Sequence, residues 1–182
     1  MTAPKIAFIC ASLRDGSINR KLEQSLIKRF KAAGADTTSI DLGKYPMPIY
    51  HGDLDTPDTV QAFIDEMVKY DGIVVVSPEY NGCLPPLLKN TIDWTSTVST
   101  DYIKTAIWGL ASCTPGPMSG IMCMRQMQFI FTRLGGHVLP VQVGCGNASK
   151  AFDDNNNLTN EKTLEIADKM RDMMLEWAAA KG

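Results

Sequence analysis

Apolar runs and amphipathic stretches alternate five times along this chain. The runs are KIAFICAS, ADTTSIDL, GIVVVSPEY, TAIWGLAS and HVLPVQVG. Those at 5–12, 71–78 and 105–112 are apolar at consecutive positions, as strands buried on both faces must be. TTSIDL alternates instead, which suits a strand nearer an edge. Pro140 removes a ladder donor, so the last strand is expected at an edge or with a bulge at that point.

Between the runs the period changes to that of a helix. Ile18, Leu22, Leu26 and Phe30 recur every four residues in a helix over about 17–33 that stops at Gly34. A second helix is predicted over about 57–70 and a fourth across GIMCMRQMQFIFTRLG. The third, over about 84–97, starts at Pro85 and Pro86 and turns Leu84, Leu87, Leu88, Thr91, Ile92 and Thr95 inward. Lys89, Asn90 and Asp93 fall off that stripe, where they form either a solvated face with an i,i+4 ion pair or a contact between subunits. The final helix has the clearest stripe: Ile166, Ala167, Met170, Met173, Met174, Trp177 and Ala178, a methionine-rich face that reads as core packing.

Strands joined by helices of this length run parallel with right-handed crossovers, so the expected product is a doubly wound α/β fold in which residues 1–182 form one domain. Ligands in such folds sit beyond the carboxyl ends of the strands. The segments after strands 1, 3 and 4 qualify by position.

Composition narrows the ligand. The hydrophobic class makes up 45% and charged residues 21%, an ordinary globular balance. A formal net charge of -2 offers no broad footprint for nucleic acid or an anionic membrane, so an anion must be held by a local device. The N-terminal MTAPKIAFICAS is too short an apolar run for a signal peptide or a membrane span, and a cytoplasmic protein is expected. Cys10, Cys83, Cys113, Cys123 and Cys145 show neither CxxC nor metal-type spacing, and His51 and His137 stand far apart, so reduced thiols and no zinc site are expected.

The segment after strand 1, ASLRDGSINR, is neither GxxxxGK[ST] nor GxGxxG. Ser12, Ser17 and Asn19 offer hydroxyl and amide groups to a phosphate beside the free N–H groups of a helix start. The alternative is a simple cap with Ser17 as the N-cap residue. Arg20 and Lys21 carry the wrong sign for the positive end of a helix dipole, which a bound dianion would reverse, although Glu23 offsets them in part. The segment after strand 3, SPEYNGCLPPLLKNTIDW, turns the chain at Glu79-Tyr80-Asn81-Gly82. Asn81 and Gly82 tolerate a positive φ, and such a turn points backbone N–H groups outward beside the Tyr80 ring. Glu79 reads either as part of that rim or as a surface loop carboxylate.

ASLRDGSINR and SPEYNGCLPPLLKNTIDW together resemble the NADPH-dependent FMN reductase family, flavodoxin-like proteins that include FMN, quinone, chromate and azo-dye reductases. The likeness runs over nearly the whole chain, YPMPIYHGDLD included. It implies a five-stranded sheet of order 2-1-3-4-5 with helices on both faces. Phosphate contacts carried over by resemblance fall on Ser12, Arg14, Ser17 and Asn19, and isoalloxazine contacts on Pro78, Glu79, Tyr80 and Asn81. Ser112, Thr114 and Gly116 of SCTPGPMSG would line the other side of the ring. The chain departs from the family pattern at three places. Ser119-Gly120 stands where members often carry Gly-Gly, a change expected to crowd the dimethylbenzene side of the flavin, while Ala11 and Cys83 replace the more usual Gly and Ser.

The resemblance implies ping-pong hydride transfer from NADPH, or NADH, through bound FMN to a quinone, free flavin or similar small acceptor. The protein then positions and tunes rather than supplying an acid, base or metal. Arg14 is a further candidate for the 2'-phosphate of the nicotinamide cofactor. Two rivals belong to other classes: an electron-carrier flavodoxin, and a regulatory flavodoxin-like protein with weak or lost flavin binding. In the second, Cys83 beside the ring is a candidate redox switch, against a plainer role in buried packing. The family also implies a homodimer or homotetramer, with the 84–97 helix and YPMPIYHGDLD as candidate contacts.

Overall fold

The computed structural model describes residues 2–181. The five apolar runs form one parallel sheet: β1 Lys5–Cys10, β2 Asp36–Ile40, β3 Gly72–Val76, β4 Ile107–Cys113 and β5 His137–Cys145, in the order β2-β1-β3-β4-β5. This is the flavodoxin-like arrangement. Six α-helices are described: α1 Ile18–Ala32, α2 Asp58–Met67, α3 Pro86–Val98, α4 Asp101–Thr105, α5 Ile121–Arg133 and α6 Glu161–Lys181.

The pleat divides the core in two. Ala7, Ile9, Ile73, Val75, Trp108 and Leu110 face α2, α3, α4 and α5, whereas Ile6, Phe8, Val74, Val76, Ala111 and Val143 face α1 and α6. Every residue of β3 and β4 is buried, which is why their sequences do not alternate. β2 is mostly open to solvent and closes one edge. β5 closes the other. There the chain advances from Val138 to Gln142 while β4 moves only from Trp108 to Leu110. Pro140 sits in that irregularity, so the proline is tolerated both by an edge position and by a bulge.

Helix packing follows the predicted stripes. Leu22, Leu26 and Phe30 of α1 are fully buried, as are Met170 and Met174 of α6. The sheet makes room for α6: a β-carbon on Gly72 would stand 2.9 Å from the Met174 sulfur, and one on Gly109 3.1 Å from that of Met170. Trp177, at the end of the predicted stripe, is instead 39% exposed. Trp108 stacks on Phe131 with centroids 4.1 Å apart and donates from Nε1 to the Ile103 carbonyl at 2.9 Å. α4 is an element that the apolar pattern does not predict. It takes up Thr105, and β4 begins two residues later than the apolar run.

One stretch outside the sheet differs from the simplest reading. Asn90 belongs to neither a solvated face nor a bare helix surface. It accepts from the Tyr50 N–H at 2.8 Å and donates to the Pro48 carbonyl at 2.9 Å, pinning the 45–50 stretch to α3. Trp94 reinforces it, with Nε1 2.6 Å from the same carbonyl and its ring edge-on to Tyr50. Lys89 and Asp93 do form the expected surface pair, at 2.6 Å.

Candidate functional site

The segments after β1, β3 and β4 leave the same rim of the sheet. Loop 1 runs from Ala11 to Ser17 and ends at α1. Ser17 occupies the N-cap position, but its side chain makes no capping hydrogen bond and the first turn holds no acidic residue. The first intrahelical bond recorded is from Lys21 N to Ser17 O at 3.2 Å, which leaves the earlier first-turn N–H groups aimed outward without a capping acceptor. Arg20 does not wait there as a spare cation. Its guanidinium lies 2.8 Å from Glu23, whose carboxylate also accepts from Ser39 Oγ at 2.9 Å. Burial raises the pKa of Glu23, with Arg20 and Ser39 opposing it. Lys21 and Arg14 instead line a groove of about 340 Å³ beside Ile18, Pro115, Phe152 and Asp153.

The predicted phosphate residues divide into two kinds. Arg14 is exposed, its guanidinium folded back 3.4 Å from the Gly16 carbonyl. Ser12 and Ser17 are buried at the loop base, where Ser12 Oγ accepts from Arg14 N at 3.4 Å. Asn19 is engaged within the chain. It is 2% exposed, its Nδ2 donates to the Cys113 carbonyl at 3.0 Å and its Oδ1 accepts from the Cys113 N–H at 2.8 Å. That amide joins the first turn of α1 to the end of β4.

Loop 3 reverses in two residues. Tyr80 and Cys83 exchange backbone hydrogen bonds of 2.9 and 3.0 Å around Asn81 (φ 53) and Gly82 (φ 77). Positive φ at both central residues defines a type I′ turn, the geometry Asn-Gly supplies at least cost. The Tyr80 ring is 49% exposed beside it. Pro78 is buried rather than on the rim, and its carbonyl accepts from Ser77 Oγ at 3.0 Å. Glu79 is not a free surface carboxylate: Oε2 accepts from the Cys123 N–H at 3.0 Å, so it caps the start of α5. Gln126, which the sequence reading missed, holds the same loop. It accepts from Leu84 N at 3.1 Å and donates to the Gly82 carbonyl at 3.2 Å. A polar residue one turn beyond Cys123, within the apolar IMCMRQMQFIF, was the available signal.

Loop 4 corrects two further expectations. Ser112 presents no side chain to a ligand, because its hydroxyl lies under Gly120, 1.9 Å from where a β-carbon on that glycine would stand. It is fully buried and without a hydrogen-bond partner. Ser119 has φ 57, which turns its side chain toward the end of β5, where β-carbons on Gly144 and Gly146 would meet it at 2.9 and 2.7 Å. It therefore packs sideways instead of crowding the rim. Ala11 is likewise 1% exposed within the core. Thr114 is partly exposed and donates from Oγ1 to the Gly116 carbonyl at 3.0 Å.

The five cysteines form no disulfide. Burial pushes the Cys10 and Cys123 thiols up to about 11. Cys113 is raised by its hydrogen bond to Cys145 and by burial. Cys83 is exposed, not a buried packing residue, and its sulfur accepts from Gln126 Nε2 at 3.5 Å, as the more usual serine would. Among the described residues no group of His, Cys, Asp or Glu is placed to hold a metal ion, and no helix is long and apolar enough to cross a membrane.

The rim thus offers uncapped donors, a positive-φ turn and a fixed third loop. The family model described as NADPH-dependent FMN reductase matches residues 4–150. The chain belongs to that family. Its members are oxidoreductases. A quinone reductase from Pseudomonas putida is 28% identical over 94% of this chain and 93% of its own. A 2-hydroxy-1,4-benzoquinone reductase from a Burkholderia species is 35% identical over 52% of this chain, so the match spans about half of that relative, 51%. Among solved structures, the flavoenzyme NAD(P)H:(acceptor) oxidoreductase FerB of Paracoccus denitrificans superposes with a TM-score of 0.81 at 22% identity, covering 98% of both chains. At that identity the likeness is one of fold.

The rim fits a flavin mononucleotide. Gly16, Gly82 and Gly116 have nothing within 4 Å of an added β-carbon, so a ligand can approach their backbone closely. The α1 donors suit a phosphate and the loop 3 turn suits the edge of a planar ring.

Proposed function

We propose that this chain is an FMN-dependent NAD(P)H oxidoreductase that passes electrons to a quinone, free flavin or similar small acceptor. FMN, when bound, accepts hydride from a nicotinamide cofactor and gives its electrons to the acceptor in a second half-reaction. The protein's share is binding and orientation. The uncapped start of α1, with Ser12, Arg14, Ser17 and Lys21 around it, takes the phosphate. The outward N–H groups of Asn81 and Gly82, the Tyr80 ring, the clamp made by Glu79 and the Thr114–Gly116 stretch bracket the ring. Arg14, exposed at the rim, is the candidate cation for a 2'-phosphate, a contact that would favour NADPH over NADH. Donation from backbone N–H groups toward the N1 and O2 edge stabilises negative charge there.

The observation that carries this reading is the start of α1, where a long helix opens on the rim with no acid and no side-chain cap. A single domain over 1–182 acting in the cytoplasm as a homodimer or homotetramer completes the proposal. The rigidly pinned 45–50 stretch supports the oligomer, since it holds Ile49 at 85% exposure. The test mixes purified protein with FMN, then with NADPH or NADH and a panel of quinones, while the visible spectrum is recorded. Bound-flavin absorbance and steady NADPH oxidation with a quinone are expected. Protein that neither carries flavin nor gains it would end the proposal, and bound flavin without turnover would leave an electron carrier.

A further inference from the structure

We infer that Asn19 is a positioning residue: its carboxamide fixes the end of β4 against the first turn of α1 and so sets the spacing between the phosphate and ring subsites, rather than touching the phosphate. This rests on the flavin reading above. Both polar atoms of the Asn19 side chain are engaged, each with the opposite half of one residue's backbone, Cys113 N–H and C=O, 94 positions away in sequence. The side chain is 2% exposed. β4 is the strand that leads into loop 4, and Cys113 lies between the two positions, Ser112 and Thr114, that carry the third loop.

A bidentate amide of this kind does what a strand neighbour does. It satisfies a donor and an acceptor together and fixes both the distance and the twist of the backbone it holds. No other side chain of loop 1 or α1 is recorded bonding to loop 4 or the end of β4. Thr114 N bonds to Cys145 O at 2.9 Å and Ala148 N to Thr114 O at 3.2 Å, which tie loop 4 to β5 on its far side. Glu79 and Gln126 tie loop 3 to α5. Asn19 is thus the tie between the first turn of α1 and the loop that closes the ring. A ligand whose tail sits at α1 and whose ring sits between loops 3 and 4 requires that distance to be fixed in advance, because a fraction of an ångström at the ring is felt in the rate of hydride transfer.

The experiment compares Asn19→Ala with the natural chain in three measurements. First, hydrogen exchange of the Cys113 amide in flavin-free natural protein is expected to be slow, and this protection is expected to be lost selectively in N19A. Second, N19A is expected to weaken FMN and riboflavin by the same factor, about tenfold, because the lost contact is not to phosphate. Third, at saturating flavin the rate of its reduction by NADPH is expected to fall, an effect that simple loss of folded protein would not produce. If FMN binding falls while riboflavin binding does not, Asn19 is a phosphate ligand and the inference is wrong. It is equally wrong if neither flavin is affected, or if the Cys113 amide of the natural protein exchanges as fast as an open loop. Should N19A not fold, that last measurement still decides. Should the natural protein bind no flavin, the proposed function fails, while the exchange of Cys113 continues to report whether the bracket exists.

Discussion

Among the helices that start at the carboxyl rim of the sheet, α1 and α5 treat their exposed N–H groups in opposite ways. α5 receives a carboxylate from a neighbouring loop, Glu79 Oε2 on Cys123 N–H at 3.0 Å. α1 receives no side-chain cap, and Glu23 farther along the helix is spent on Arg20 and Ser39. A helix start carries roughly half a positive charge. The protein neutralises one such start with its own chain and leaves the other open, which is why the proposed reading puts the phosphate at α1 and the ring beside the loop that Glu79 braces.

The sharpest way to break this contrast is to open the closed helix. Glu79→Ala removes a charged acceptor from the start of α5 and one of the ties on loop 3. We expect a loss of about 2 kcal/mol in urea unfolding, with ring binding weakened more than phosphate binding. Glu79→Gln keeps an acceptor and is expected to recover about half of that. Equal stability of the alanine variant and the natural chain would mean that the cap is ornamental.

The converse change closes the open helix. Lys21→Glu places a negative charge by the α1 start, where Lys21 lines the groove. FMN affinity is expected to fall about fivefold, a cost of about 1 kcal/mol, with riboflavin affinity unchanged. Fluorescence titration with both flavins checks it, and a parallel loss of both would move the phosphate away from α1.

A smaller effect is expected just ahead of α5. Ser119 holds φ 57 at a place where family members often carry glycine, and its Oγ donates only locally, to the Pro117 carbonyl at 3.2 Å. Ser119→Gly is expected to raise stability by about 0.5–1 kcal/mol by relieving the left-handed backbone. A drop in thermal midpoint would show that the contacts of the side chain with the Gly144–Gly146 turn outweigh the strain.

How much of this could be read in the sequence depends on the distance between partners. β1, β3 and β4 were legible because burial on both faces forces consecutive apolar residues, and α1 and α6 because their stripes are long. α4 was not, since five residues cannot establish a period. In loop 3 the Asn81-Gly82 turn was legible because its chemistry is local. The ties that hold the site were not: Asn19 reaches 94 positions to Cys113, and Glu79 reaches 44 to Cys123. A polar residue spent on a distant backbone looks in sequence the same as one kept free for a ligand. The motif therefore pointed to one rim of the sheet without revealing that Asn19, Pro78 and Ser112 are buried there and engaged or packed within the chain.

The weakest test addresses the other end of α1. Arg29, in its last turn, donates from Nε to Asp168 Oδ1 of α6 at 2.7 Å, and Arg171 lies 2.6 Å from the same oxygen. The hydrogen bond from Arg29 holds the Asp168 carboxyl below its ordinary value of 3.8. A lowered carboxyl pKa stabilises the fold above the unfolded value, and the contribution disappears as pH falls through the folded one. Both side chains are about one-third exposed, at 31% and 32%, so solvent screening keeps the effect under ~1 kcal/mol. Asp168→Asn is expected to lower the urea midpoint slightly at neutral pH and to be indistinguishable from the natural chain in strong acid. FMN affinity should not change in this variant, because the pair anchors the end of α1 far from the rim. If it does change, the orientation of the whole helix, and not only its uncapped start, governs the phosphate subsite.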